Sequence, residues 1–158
     1  MSASPLSLDN YYYTSVEIRA NEHISEEDLE KRTPFGGDVE VQVACGHADG
    51  SETDFMVSLT IELTAREGHL QSYNGTLSMT GFFTIDPRFP TGEREKLLSI
   101  AGPSILYSSA RDFIQTITSR GPWPALMLPT ISFKENGTPK TAEAPPSKKA
   151  RSRKTKVS

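Results

Sequence analysis

Cys45-Gly46-His47 sets a thiol two residues from an imidazole, the one place where the single cysteine has a base close in sequence. Activating a thiol requires that base within hydrogen-bond reach and a third group to orient it. The alternation Val39, Val41, Val43, Cys45 reads instead as the apolar face of a strand, with His47 in the turn after it, so Cys45 is expected as a small core residue. His23, His47 and His69 fall in separate loops without HxH, HxxxH or CxxC spacing, and no metal site is expected. No glycine-rich loop joins a strand to a helix start, so no phosphate cradle is expected either. Arg32, Arg94, Arg111 and Arg120 read as surface charges. Asn74-Gly75-Thr76 and Asn136-Gly137-Thr138 match the glycosylation sequon. The start Met1–Asp9 has neither the basic nor the apolar region of a secretory signal, so both read as chance matches. The expectation is a protein without catalytic residues, metal or cofactor.

The elements that would have to position any site read as strands first and helix last. Residues 11–19 alternate, Tyr12, Thr14, Val16 and Ile18 against Tyr11, Tyr13, Ser15, Glu17 and Arg19. Ser25-Glu26-Glu27-Asp28 resembles a capping box and supports one turn of helix at most. Pro34, Gly36 and Gly37 punctuate the chain before the strand at Val39. Phe55, Val57, Leu59, Ile61 and Leu63 form a strict period-2 face. After a turn at Arg66–His69 it is answered by Tyr73, Gly75, Leu77, Met79, Gly81, Phe83 and Ile85. A one-residue slip would turn every one of these side chains to the wrong face, so register is strongly specified. Glu93–Ile100 reads as helix, broken at Gly102-Pro103, with Ser104 as a candidate cap for a second stretch carrying Leu106, Ala110, Phe113, Ile114 and Ile117. Arg120-Gly121 reads as its C-cap and Pro122 prevents continuation. Trp123–Phe133 is apolar and extended, and Pro124 and Pro129 make it a stiff strap rather than a ladder strand.

Charge divides the chain further. Of 158 residues, a one-domain length, 35% are hydrophobic and 23% charged, with a net charge of −3. Residues 134–158 carry eight basic and two acidic side chains, a net +6, which leaves −9 on residues 1–133. With so few apolar residues the stretch 134–158 is expected as a disordered basic tail, and residues 1–10 as a flexible start. Such a tail attracts an anionic partner, nucleic acid or an acidic protein face. No apolar run approaches the ~20 residues that span a bilayer, so no membrane insertion is expected, and the chain reads as cytoplasmic.

One segment carries a family likeness. Ile105-Leu106-Tyr107, Ala110-Arg111-Asp112, Ser119-Arg120-Gly121, Trp123-Pro124, Leu126, Leu128 and Phe133 fit in register with the pattern of the SecB protein-export chaperones, an "ILFPYARE" stretch, a helix ending in "SRG", an aromatic–proline pair and "LxLxPVNF". Phe55–Ala65, the turn at Gly68 and Gly81–Ile85 follow the same family's spacing, and the likeness covers residues 11–133. It implies an α+β protomer, a four-stranded antiparallel sheet followed by a long kinked helix, assembling as a dimer of dimers. It implies further an ATP-independent holdase that binds non-native polypeptides in hydrophobic grooves and passes them to the motor SecA. The groove positions it implies are Phe35, Val39, Val41 and Val43, with Trp123, Leu126, Leu128, Ile131 and Phe133 of the strap. The chain departs from the pattern in three places. Lys134–Pro139 cannot form the second helix that walls the groove, the tail is basic where typical members end acidic, and the positions matching the acidic SecA contacts are Ser15, Arg19, Asn74 and Thr76. A SecB-like binding module of the kind that accompanies toxin–antitoxin pairs, its basic tail docking an anionic partner without SecA, is the alternative expectation.

Overall fold

The structure, a computed structural model, describes residues 2–134 and the backbone of residues 139–141. Strand β1 (Leu6–Ala20) leads through the short helix α1 (Glu26–Glu30) to β2 (Gly37–His47), β3 (Asp54–Ala65) and β4 (Tyr73–Ile85). A 3-10 turn at Thr91–Glu93 opens α2 (Arg94–Thr118), and β5 (Ile131–Phe133) and β6 (Pro139–Thr141) follow the strap. The four long strands form an antiparallel sheet in the order β1-β4-β3-β2, with α2 on one face.

The strict alternation of β3 and β4 decides the architecture. Phe55, Val57, Leu59 and Ile61 of β3, with Leu77, Met79, Phe83 and Ile85 of β4, are buried against Leu98, Leu106, Ala110 and Ile114 of α2. Each such side chain contributes about 1.5–3 kcal/mol of burial. The two strands with the most regular pattern therefore take the centre, and β1 and β2 become the edges.

At β1 the simple alternation fails. The strand starts at Leu6, ahead of the flexible start expected through residue 10, because Leu6 and Leu8 pair with Ile85 and Phe83. Its register against β4 shifts between Leu8 and Asn10 and again between Tyr13 and Ser15. An extra residue in one strand reverses which face the following side chains take. Tyr11 and Tyr13 thus join Val16 and Ile18 on the helix side. Tyr13 stacks on Phe113 at 4.5 Å between ring centroids, and Ser109 donates to the Tyr11 hydroxyl. Tyr12 turns outward beside Phe82.

Helix α2 is continuous across Gly102-Pro103, where an interruption was expected. A proline inside a helix costs about 3 kcal/mol, but Gly102, Pro103, Leu106 and Tyr107 are all buried, and that packing offsets the missing N–H. Ser104 is not a cap: its hydroxyl donates back to the Ile100 carbonyl at 2.6 Å. Ser25 does form a true capping box with Asp28. Arg94 is buried rather than a surface charge, donating to the carbonyls of Phe89, Glu52 and Pro87 and so tying two loops to the helix start. Cys45, on edge strand β2, is exposed rather than core, at the rim of a hollow that also meets Glu95 and Leu98 of α2.

The link between β3 and β4 is longer than a hairpin turn. Leu70 bridges to Phe35, with Leu70 N–H donating to Pro34 and Gly36 N–H to Leu70. At the other end of the chain the strap is extended from Trp123, but its last three residues, Ile131–Phe133, pair antiparallel with Pro139–Thr141. That short ribbon is a correction to an unstructured segment beginning at Lys134. It forms because both prolines of the strap precede Ile131, leaving residues 131–133 with their N–H groups. The remainder of the basic tail, with Asn136-Gly137-Thr138, lies outside the described residues.

Candidate functional site

The strap makes almost no ladder of its own, so other side chains must satisfy its backbone. Tyr73, on the buried face of β4, donates its hydroxyl proton toward the carbonyls of Thr118 (3.0 Å) and Trp123 (3.2 Å) and accepts from Trp123 N–H (3.2 Å). Thr118, at the end of α2, donates to Ile114 and accepts from Leu126 N–H at 2.8 Å. One turn apart on α2, Tyr107 donates to the Pro129 carbonyl (2.6 Å) and Arg111 to that of Leu128 (3.1 Å). The Trp123 indole N–H donates to the Asn21 carbonyl at 2.9 Å. Burial pushes the Tyr107 hydroxyl up to about 12, the Arg111 charge opposing it. The strap is therefore pinned along its length to helix and sheet.

Pinning turns some strap side chains inward and leaves others out. Leu128, Ile131 and Phe133 are 2%, 8% and 6% exposed and belong to the core. Leu128, though buried, still borders a narrow hollow beside Val39 and Leu63. Ile131 and Phe133, expected as groove residues, instead pack into the core, with the strap drawn onto α2 by the bonds from Tyr107 and Arg111. Trp123 and Leu126 are half-buried, and Met127 is 64% exposed. Between the strap and the start of β2 lies an open trough of about 300 Å³, lined by Phe35, Gly36, Gly37, Ser72, Pro124, Leu126 and Met127. The adjoining narrow hollow, of about 30 Å³, reaches Val39 and Leu63. Phe35 and Trp123 face each other at 6.0 Å between ring centroids, and Arg66 at the rim is held by Asp38 at 2.7 Å.

Of the expected groove residues, then, Phe35, Val39, Trp123 and Leu126 gather around one trough. Val41 and Val43 continue the half-buried stripe along β2, and Val43 reaches a second hollow of about 240 Å³ beside Cys45, Phe55, Glu95 and Leu98. Desolvation there pushes the Cys45 thiol up, the opposite of activation. Met127 was legible as part of the apolar strap. Arg111, expected as a surface charge, is half-buried and donates to the strap. Tyr107 and Arg111 match the family pattern and Tyr73 the face of its strand. The sequence does not show that these three and Thr118 hold the strap, beyond the spacing of Tyr107 and Arg111 on one helical face. Among the described residues no group of three or more His, Cys, Asp or Glu is placed to hold a metal. What the described residues offer is apolar contact and an edge strand.

The fold of a four-stranded antiparallel sheet followed by a long helix has a counterpart among solved structures. A Mycobacterium tuberculosis SecB-like chaperone, solved in complex with a ChAD peptide from the HigA1 antitoxin, superposes with a TM-score of 0.59 at 14% identity, covering 80% of this chain and 91% of that one. The chain belongs to the SecB family: the family model for the preprotein translocase subunit SecB matches residues 7–136. The protein-export protein SecB of Brucella anthropi is 37% identical over 93 residues, which are 59% of this chain and 56% of that protein. That of Halorhodospira halophila is 28% identical over 95 residues, 60% and 54% respectively. The chain thus spans about half the length of the curated relatives it matches.

Proposed function

We propose that the protein is an ATP-independent chaperone that holds non-native polypeptide in the trough between β2 and the strap, in the service of protein export. The observation that carries this reading is the trough itself, with Met127 at its lip and the Phe35–Trp123 pair at its end. Covering ~300 Å² of client apolar surface is worth roughly 7 kcal/mol at ~25 cal/mol per Å², before the cost of immobilising the client. Because the contacts are apolar and unbranched Met adapts its shape, many client sequences fit. Edge strand β2 adds backbone groups that do not depend on client sequence. The protein acts in the cytoplasm as a homo-oligomer, a dimer or a dimer of dimers, and without a catalytic group, metal or cofactor.

Ser15, Arg19, Asn74 and Thr76 share the outer sheet face by register, and none is acidic. This favours, as a second reading, a chaperone committed to a dedicated partner rather than to SecA. Titration calorimetry with a reduced, carboxymethylated protein that cannot refold tests the first reading. Saturable binding, unchanged by ATP, is expected. No heat of binding at micromolar concentration would refute it.

A further inference from the structure

We propose that Ser72 anchors the client. Its hydroxyl hydrogen-bonds the client backbone where the trough narrows, and the client residue held there sends a small aliphatic side chain into the hollow behind. This rests on the trough being a polypeptide site. Gly36, Gly37, Ser72, Leu126, Met127 and Pro129 border both the trough of about 300 Å³ and the hollow of about 30 Å³. Of these, Ser72 alone carries a polar side chain.

That hydroxyl is free to take a ligand. Ser72 is 7% exposed, and its hydroxyl has no hydrogen-bond partner among the described residues. No side-chain nitrogen or oxygen among those residues is both fully buried and unpaired, so the Ser72 oxygen keeps an opening, and the spaces it borders are the trough and the hollow. A hydroxyl withdrawn from most of its water without a partner is unfavourable, and a client amide arriving along the trough relieves it. The backbone beneath is fixed. The Ser72 carbonyl accepts from Asn21 N–H at 2.8 Å, and the Asn21 side-chain amide donates to the Gln71 carbonyl at 2.8 Å. Tyr73, next in the chain, is tied to Thr118 and Trp123. A group so held loses little freedom when a client bonds to it.

Neighbouring polar groups are already engaged. The carbonyls of Trp123, Leu128 and Pro129 accept from Tyr73, Arg111 and Tyr107, and Leu126 N–H donates to Thr118. Pro124 and Pro129 have no N–H to offer. Across the trough, Gly36 N–H donates to the Leu70 carbonyl and the Thr64 hydroxyl to the Asp38 carbonyl. A client entering this apolar passage must still satisfy its own backbone, and Ser72 is placed to do so.

The hollow then selects the side chain. Val39, Leu63 and Leu128 make its far wall apolar. Its volume of about 30 Å³ is that of two or three water-sized probes at ~10–15 Å³ each, whereas a cavity that takes benzene measures ~150 Å³. Ala and Val fit it, Leu overfills it, and aromatic rings are shut out. The client class is therefore an extended segment with Ala or Val at the anchor, its larger apolar residues remaining in the wider trough.

The test titrates synthetic host peptides into the full chain by calorimetry. Their apolar residues are Leu and Phe, apart from one central guest that is Ala, Val, Leu or Phe. The parent is expected to bind the Val guest about tenfold more tightly than the Phe guest. Ser72→Ala should weaken the Val guest about threefold to tenfold. It should unfold in urea no earlier than the parent, since the hydroxyl has no partner in the free chain. Val39→Ala, at a position that borders the hollow and not the trough, should move the preference toward Leu. Equal affinity for all four guests would overturn the proposal, as would a Ser72→Ala variant that binds like the parent or loses stability in step with affinity. Peptides that stay inert while a reduced, carboxymethylated protein binds would overturn the proposal and leave the holdase reading intact. Binding of neither would refute both.

Discussion

Tyr73 and Gly121 show how much of the site depends on one close approach. Gly121 does not adopt the left-handed conformation of a helix C-cap; the cap is Ser119. A β-carbon at Gly121 would instead collide with the Tyr73 hydroxyl, the group that joins α2 to the strap. Gly121→Ala is expected to cost about 1–3 kcal/mol in urea unfolding, whereas Gly92→Ala, with open space around it, should be near neutral. Adjacent strap residues separate stability from binding in the same way. Leu128→Ala should lose about 2–5 kcal/mol and confound any binding assay, while Met127→Ser should unfold within about 0.5 kcal/mol of the parent and weaken client binding. Tyr107 supplies a pH test. Its folded-state value, pushed up to about 12, lies above the ordinary value of 10.0, so the unfolded chain loses that proton first. The contribution is complete below about pH 10 and is lost as pH rises toward the folded value of about 12. Tyr13, also raised by burial, adds to the same alkaline slope. Alkaline unfolding curves of Tyr107→Phe should show a shallower slope than the parent, and identical slopes would contradict the burial of the Tyr107 hydroxyl.

At the scale of elements, the sequence is most legible where one pattern serves one purpose. β3 and β4 are buried on one face along their whole length, so alternation alone sets their register. In β1 the same logic misassigns Tyr11 and Tyr13, because two inserted residues satisfy local packing against Phe113 and Ser109 that no periodicity records. Gly102-Pro103 reads as a break for a similar reason: propensity is local, and the packing that overrides it comes from the sheet. The strap was visible as an apolar, proline-stiffened run. Which of its residues turn inward was not, since that is decided by hydrogen bonds from Tyr73, Tyr107, Arg111 and Thr118. Gly75 marks another such constraint. Its φ of +150° and the Glu17 carbonyl opposite leave no room for a side chain, so Gly75→Ala is expected to destabilise the β1–β4 pairing by more than about 2 kcal/mol. Hydrogen exchange should show the loss first in β1.

On the scale of the molecule, fold and function separate. The sheet and α2 share one buried core, whereas the trough exposes Met127 and half-exposes Phe35, Trp123 and Leu126, of which Leu126 also packs against that core. Other exposed apolar side chains, among them Tyr12, Val16, Met56 and Ile105, lie elsewhere, but the trough joins apolar surface to an edge strand, which suits an unfolded chain. The central claim is that this trough, and no other apolar face, holds the client. The most direct measurement follows light scattering from a chemically denatured protein diluted into an equimolar amount of the parent chain, Phe35→Asp, or Met56→Asp on the exposed outer face of the sheet. Suppressed scattering by the parent and Met56→Asp, with suppression lost in a folded Phe35→Asp, is the predicted result; equal suppression by all three would contradict it.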